Sequence, residues 1–198
     1  GEILKGFKMT NGVQTTTMAD IDLAGLQSAP QASTYFNLGA NLNAAATAAA
    51  TFSSPITLYS SVGSTVTLNL GFTKVAGANK WTFAATSSLG SITAGASGSV
   101  SFDSNGQLSQ VNGATAADHS FTLDFSSADP PADEMTLNWD LVDSSGATHG
   151  KLTGFAAASN NNAMIQDGFT TGTLLGLSVD QEGIINGLFN NGQAEKLN

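Results

Sequence analysis

Neither cysteine nor arginine occurs anywhere in the 198 residues, histidine occurs twice and proline four times. Without cysteine the chain can form no disulfide, thiolate metal site or thiol nucleophile. Without arginine its cations are Lys5, Lys8, Lys74, Lys80, Lys151 and Lys196, set against 15 acidic side chains for a net charge of -9. Nucleic acid is excluded as a partner, because neutralising phosphates needs clustered cations. Charged residues make up only 11% of the chain, well under the usual quarter. Solubility therefore rests on Ser, Thr, Asn and Gln, a pattern that suits an extracellular β-rich surface. No apolar run approaches the roughly 18 residues that span a bilayer, so no membrane partner is expected. Gly1 to Lys5 lacks the charged-then-apolar order of a secretory signal. The missing initiating methionine suggests a piece of a longer chain.

What is present reads as β structure. Val66, Leu68, Leu70 and Phe72 alternate with Thr65, Thr67, Asn69, Gly71 and Thr73, a period of two that places one set on each face of a strand. Phe121, Leu123 and Phe125 repeat the pattern, as do Met135, Leu137, Trp139 and Leu141, and Trp81 with Phe83. One buried and one solvated face is the mark of antiparallel sheets. Asp103-Ser104-Asn105-Gly106, Asp143-Ser144-Ser145-Gly146 and Asp180-Gln181-Glu182-Gly183 share a turn layout. The Asp side chain accepts from the backbone two residues on, and the Gly takes a positive φ at little cost. Asn190-Asn191-Gly192 reads as a fourth turn. No segment carries a helical stripe with caps; Ala44 to Ala50 permits a helix but has no amphipathic face.

Two low-complexity stretches, Ala44 to Thr51 and Ala156 to Asn162, divide the chain. Small and polar residues bury little, which predicts linkers over 44–51 and 156–163. The fold class expected is all-β with two domains. An outer sandwich- or barrel-like domain over 52–158 is inserted into a discontinuous inner one of 1–44 plus 159–198. In the inner domain Phe36, Leu38, Ala40 and Leu42 are expected to pack against Leu175, Leu177, Val179, Ile184, Ile185, Leu188 and Phe189.

The catalytic inventory is thin. His119 and His149 stand isolated in turn-like contexts, and no nucleophile elbow, zinc-helix motif or phosphate loop is present. Asp129, Asp133 and Glu134 around Pro130-Pro131 could flank a glycosidic bond or hold Ca²⁺, but the same residues make an ordinary solvated loop. Asp103-x-Asn105-Gly106 echoes part of a calcium loop without the remaining ligands, so a hairpin turn is expected. Trp81 and Trp139 could stack on sugars, yet both share the phase of neighbouring core residues and are expected inside. No catalytic, cofactor-binding or metal site, and no cofactor, is expected.

Two stretches carry a resemblance. From Ile56 the chain reads Ile-Thr-Leu-Tyr-Ser-Ser-Val-Gly-Ser-Thr-Val-Thr-Leu-Asn-Leu-Gly-Phe-Thr-Lys, then Ala78-Asn79-Lys80-Trp81-Thr82-Phe83 and Val100-Ser101-Phe102-Asp103-Ser104-Asn105-Gly106. This resembles the inserted β domain of bacterial flagellar hook proteins, in which a "YDSLG"-like turn leads into a long strand, a Trp-bearing strand and an "F-D-x-x-G" hairpin. Ser60-Ser61-Val62-Gly63 lacks the usual Asp, so a looser turn is expected there. Gln166-Asp167-Gly168-Phe169 through Asp180, and Asn190-Asn191-Gly192-Gln193, are similar to the "DGY" and "SNGQ" signatures of hook and rod proteins, with Phe169 for Tyr and Asn190 for Ser. Phe36 to Asn43 is similar to the "G-A-N-L" strand of the same family.

The resemblance implies a non-enzymatic structural subunit of the hook, self-assembling outside the cell into a curved tube that transmits torque from rod to filament. It implies as partners copies of itself, rod proteins, hook–filament junction proteins and the hook cap. It also implies a core lacking the terminal helices, expected to be monomeric alone. A distal rod protein and a carbohydrate-binding or hydrolytic β-sandwich using Asp129, Asp133, Glu134 and a Trp are the other readings.

Overall fold

The computed structural model describes residues 5–10, 13–20 and 25–197, and no helix occurs among them. In chain order the strands begin with β1 (Lys5–Thr10), β2 (Val13–Asp20) and β3 (Gln27–Ser28). Then follow β4 (Tyr35–Asn41), β5 (Thr51–Tyr59), β6 (Thr65–Lys74), β7 (Lys80–Ser87), β8 (Ser91–Ala94) and β9 (Ser97–Phe102). Next come β10 (Leu108–Val111), β11 (Ala114–Thr115), β12 (His119–Asp124), β13 (Met135–Trp139), β14 (Leu152–Thr153) and β15 (Asn160–Gln166). The chain closes with β16 (Gly172–Val179), β17 (Ile185–Phe189) and β18 (Ala194–Lys196).

These strands fall into two units, Gln31–Phe169 and Gly1–Pro30 with Thr170–Asn198. In the larger unit one sheet runs β11-β10-β9-β7-β6-β5, antiparallel at every pairing. The second runs β14-β4-β13-β12-β8. Within it β4 is parallel to β13 at Tyr35 and Phe36 and to β14 at Ala40 and Asn41, while β15 runs antiparallel along its other edge.

The period-two pattern sets which side chains meet. Val66, Leu68, Leu70 and Phe72 from one sheet and Phe121, Leu123, Leu137 and Trp139 from the other are all fully buried. Their rings interlock, with Phe83 5.5 Å and Phe72 6.2 Å from Trp139 in edge-on contacts and Phe36 stacked on Trp139 at 5.9 Å. Trp81 and Trp139 are inside, as their phase predicts, at 1% and 0% exposure. The sandwich is thus two sheets sharing one apolar layer.

The smaller unit contains the sheet β18-β17-β16-β3 and a separate β1-β2 hairpin. Among its described residues the buried apolar side chains are Ile185 and Phe189, with Leu174 and Leu197 close over Gly187.

The expected boundaries do not hold. Phe36, Leu38, Ala40 and Leu42 lie in the core of the larger unit and pair through β13, β14 and β15, not with the strands after Gly172. Alternation fixes which face of a strand is buried but leaves its partner sheet open. The stretches 44–51 and 156–163 are not linkers either. Ala44 donates its N–H to Phe155 O, Ala49 donates to Lys74 O, and Lys74 donates to Ala50 O. The Asn41 side chain donates to Ala157 O at 3.0 Å and Ala158 O at 3.3 Å, and β15 begins at Asn160. Small residues let these segments lie flat on the sandwich, with Asn41 and neighbouring strands supplying the backbone partners that water would otherwise provide. The division falls instead at 30/31 and 169/170.

Candidate functional site

The side chains singled out for chemistry do not converge. His119 on β12 takes a proton-bearing Nε2 toward Gly95 O at 2.8 Å and sets Nδ1 3.2 Å from Asn112 Nδ2. Asn112 Oδ1 accepts from Ser99 N–H, which fixes the amide so that Nδ2 is the donor to the imidazole. His119 therefore ties β12 to two turns of the sandwich and faces Phe83 and Phe121 edge-on. His149 Nε2 meets Asp140 Oδ1 at 3.0 Å, and Asn37 Nδ2 donates to the other oxygen of that carboxylate at 3.2 Å. Asp129, Asp133 and Glu134 sit on the exposed β12–β13 loop, where Asp133 N–H donates to Ser61 Oγ. With both tryptophans in the core, these acids have no indole beside them on which a sugar could stack.

Asp118 serves the backbone. Its Oδ1 accepts from Leu141 N–H at 2.9 Å and Val142 N–H at 3.0 Å, and its Oδ2 from Asn138 Nδ2 at 2.8 Å. Desolvation alone would push this carboxyl up. The three hydrogen bonds and the nearby His149 outweigh it and hold the group below the usual carboxylate range.

The turns share one geometry. At Asp103, Asp143 and Asp180 the carboxylate accepts from the N–H groups two and four residues on, between 2.8 and 3.1 Å. The glycine three residues on has φ of 73°, 80° and 81°, respectively, and donates back to the Asp carbonyl. Ser60-Ser61-Val62-Gly63, expected to be looser, closes in the same way. Ser60 N–H donates to Ser64 O at 3.0 Å, Gly63 donates to Ser60 O at 2.9 Å, and Ser60 Oγ accepts from Ser64 N–H at 3.1 Å. A hydroxyl thus does the work of the carboxylate at a position that is fully buried, where a charge would be costly.

An extended polar network stands where the chain enters and leaves the larger unit. Gln31 and Phe169 exchange two backbone hydrogen bonds, at 2.9 and 3.0 Å. Asp167 accepts from Thr34 N–H at 2.8 Å, Thr34 Oγ1 at 2.5 Å and Tyr35 N–H at 3.2 Å. Gln166 Oε1 accepts from Ser33 Oγ at 2.8 Å and Gly168 N–H at 2.6 Å. Ser33 Oγ in turn accepts from Tyr59 N–H at 3.1 Å, which carries the network to β5. Ser33 is 1% exposed and escaped sequence reading, since a lone serine before a strand carries no signal. The adjacent Gln166-Asp167-Gly168 did.

The smaller unit has its own fastening. Asn191 Nδ2 donates to Ser28 Oγ and Thr170 O, both at 2.8 Å, and Gly172 N–H donates to Ser28 Oγ at 3.1 Å. The side chains of Asn191 and Ser28 thus hold the β3–β16 pairing.

Side-chain polarity in this all-β protein goes to fixing strands and turns, which defines a structural module. The chain belongs to the family described as the flagellar basal body protein FlaE D2 domain, whose model matches residues 12–169. No curated protein matches it. Among solved structures, the Helicobacter pylori flagellar hook protein FlgE2 is similar at a TM-score of 0.49 and 16% identity, over 74% of this chain and 31% of that one. A 32 kDa fragment of the flagellar hook protein FlgE from Caulobacter crescentus is similar at 0.48 and 20% identity, over 59% of this chain and 46% of that one. The chain spans less than half the length of either.

Proposed function

We propose that this chain is part of a structural subunit of the bacterial flagellar hook, assembling with its own copies outside the cell into a curved tube that passes torque from rod to filament. Family membership over residues 12–169 carries the reading. The fastened root at Gln31–Tyr35 and Gln166–Phe169 supports it, because a body that transmits load must not unravel where the load enters. No step of this role is chemical, so the protein acts as no enzyme. Its partners are further copies, the rod and hook–filament junction proteins at the two ends, and the hook cap during growth. The two units, 31–169 and 1–30 with 170–198, are an inserted domain and the discontinuous one whose chain it interrupts.

The test is immunogold labelling of isolated flagella with antibody to this chain, beside a deletion of its gene. Label confined to the short segment between rod and filament, with loss of filaments on deletion, is the expected result. Label on the rod would establish the distal-rod reading instead. Label on the cell surface with motility intact would overturn both.

A further inference from the structure

A trough of about 750 Å³ lies on the outer face of β4. Gly39 and Asn41, out of phase with the core residues of that strand, form its floor with Ala163 of β15, and Phe155, Ala158 and Lys151 form its walls. Phe155 is 46% exposed, and Lys151 is exposed at the rim. None of the residues lining the trough is acidic, in a chain with 15 acids against six bases. The trough is thus lined by small, apolar and uncharged polar side chains, with the cation of Lys151 as its sole charge, on a chain that is acidic as a whole.

The same unit carries a feature of opposite character. The exposed loop Asp129-Pro130-Pro131-Ala132-Asp133-Glu134 presents two prolines between three carboxylates and is pinned to the Ser60–Ser64 turn by Asp133 N–H on Ser61 Oγ. Val62, 44% exposed, lies beside Pro131 and extends the apolar tip. Proline's fixed φ means little entropy is lost when such a tip is held in place.

The loop cannot reach the trough of its own chain. The Ser60–Ser64 turn precedes the first residue of β6, whereas Phe155 is tied to Ala44 and Lys74 to Ala49 and Ala50 at the far end of that strand. Ten residues of β6 separate the two, about 30 Å at strand rise.

We propose that the Pro130-Pro131 loop of one copy docks into the Gly39–Phe155 trough of the next, with Lys151 facing the carboxylates of Asp133 and Glu134. The contact is heterologous, two different patches of one chain, so it propagates head to tail and does not close a dimer. It rests on the hook-subunit reading and adds to it the surface through which copies meet. Opposite charge gives the contact its register, and salt weakens it.

The absence of native cysteine makes disulfide trapping unambiguous. Pro131→Cys and Ala158→Cys are made in separate preparations of the full chain, with Thr86→Cys, exposed on β7 of the other sheet, as control. With diamide added as the two-electron oxidant, Pro131→Cys is expected to form a mixed disulfide with Ala158→Cys at least about ten times faster than with Thr86→Cys. Adding Lys151→Glu to the Ala158→Cys protein should remove that advantage, and adding Glu134→Lys to its partner should restore it. A chain carrying both cysteines should yield a ladder of multimers. Equal rates, or Ala158→Cys pairing fastest with itself, would overturn the docking. Equal rates in a protein that still labels hooks would leave the subunit reading standing. Fast mixed trapping in a protein that labels no hook would do the reverse.

Discussion

Gly154 lies against the ring of Phe102, so that a Cβ at Gly154 would stand 2.5 Å from Cγ and 2.7 Å from Cδ2 of the phenylalanine. Phe102 is 7% exposed, and Phe102 N–H is held by Asn79 O, so the ring has little room to retreat. Gly154→Ala is therefore expected to destabilise the larger unit by about 1–3 kcal/mol through overpacking. The midpoint of urea unfolding, followed by tryptophan fluorescence from the buried Trp81 and Trp139, measures it. An unchanged midpoint would show that Phe102 can move.

Gly168 is bound in a similar way at the root. A Cβ there would run into the Ser33 side chain and come within 2.7 Å of its backbone nitrogen. Gly168→Ala should loosen the network of Gln166, Ser33 and Tyr59 before it affects the core. Amide hydrogen exchange is expected to accelerate at Gln31, Ser33 and Phe169 while Leu68 and Leu70 of β6 keep their protection.

Acid sensitivity should trace in part to Asp118. Its carboxyl is held below its unfolded value, so its stabilising effect is complete above the ordinary carboxylate pKa of about 4 and is lost as pH falls through the depressed native value. Asp118→Asn keeps an acceptor for Leu141 and Val142 but removes the charge. The variant should be less stable than the wild type at neutral pH, and the difference should shrink as the solution is acidified toward pH 2 in thermal melts.

Lys74 carries a charge that costs stability where that of Asp118 adds to it, although both groups make stability rise with pH. It continues the inward phase of Val66 to Phe72 and is 6% exposed, with Nζ 5.5 Å from the Trp81 ring centroid and no hydrogen-bond partner. Burial lowers its pKa below the usual lysine value. The unfolded chain then holds the proton over a range where the folded chain has released it, so stability rises with pH up to about 10.4. Lys74→Met is expected to raise stability at pH 7 by about 1 kcal/mol and to abolish that alkaline gain. A parallel alkaline slope in both proteins would show that another group is responsible.

The strands and the facing of their side chains were legible because alternation of the kind seen from Val66 to Phe72 is a local property. The partner of a strand is not local. Phe36 to Leu42 showed its buried phase plainly, yet nothing within seven residues says that β13, β14 and β15 would flank it. The Ala-rich stretches misled for a related reason. Their own side chains bury little, and what holds them is Asn41, Phe155 and Lys74, brought near by the fold. At Ser60 the expectation of a looser turn came from counting carboxylates, whereas the buried position favours a hydroxyl. The root network was half visible: Gln166-Asp167-Gly168 stood out, while Ser33 and Thr34, more than 130 residues earlier, gained meaning only across the sheet.

Because Gln31 and Phe169 leave the larger unit side by side, a pull that spreads the two chain ends acts on its rungs one after another, as in opening a zipper. The first rung is the pair of backbone bonds between Gln31 and Phe169, and the next is the carboxylate of Asp167 with its three donors. Rupture under such a load begins at this rim, and the aromatic interior around Trp139 feels the strain only after those bonds have parted.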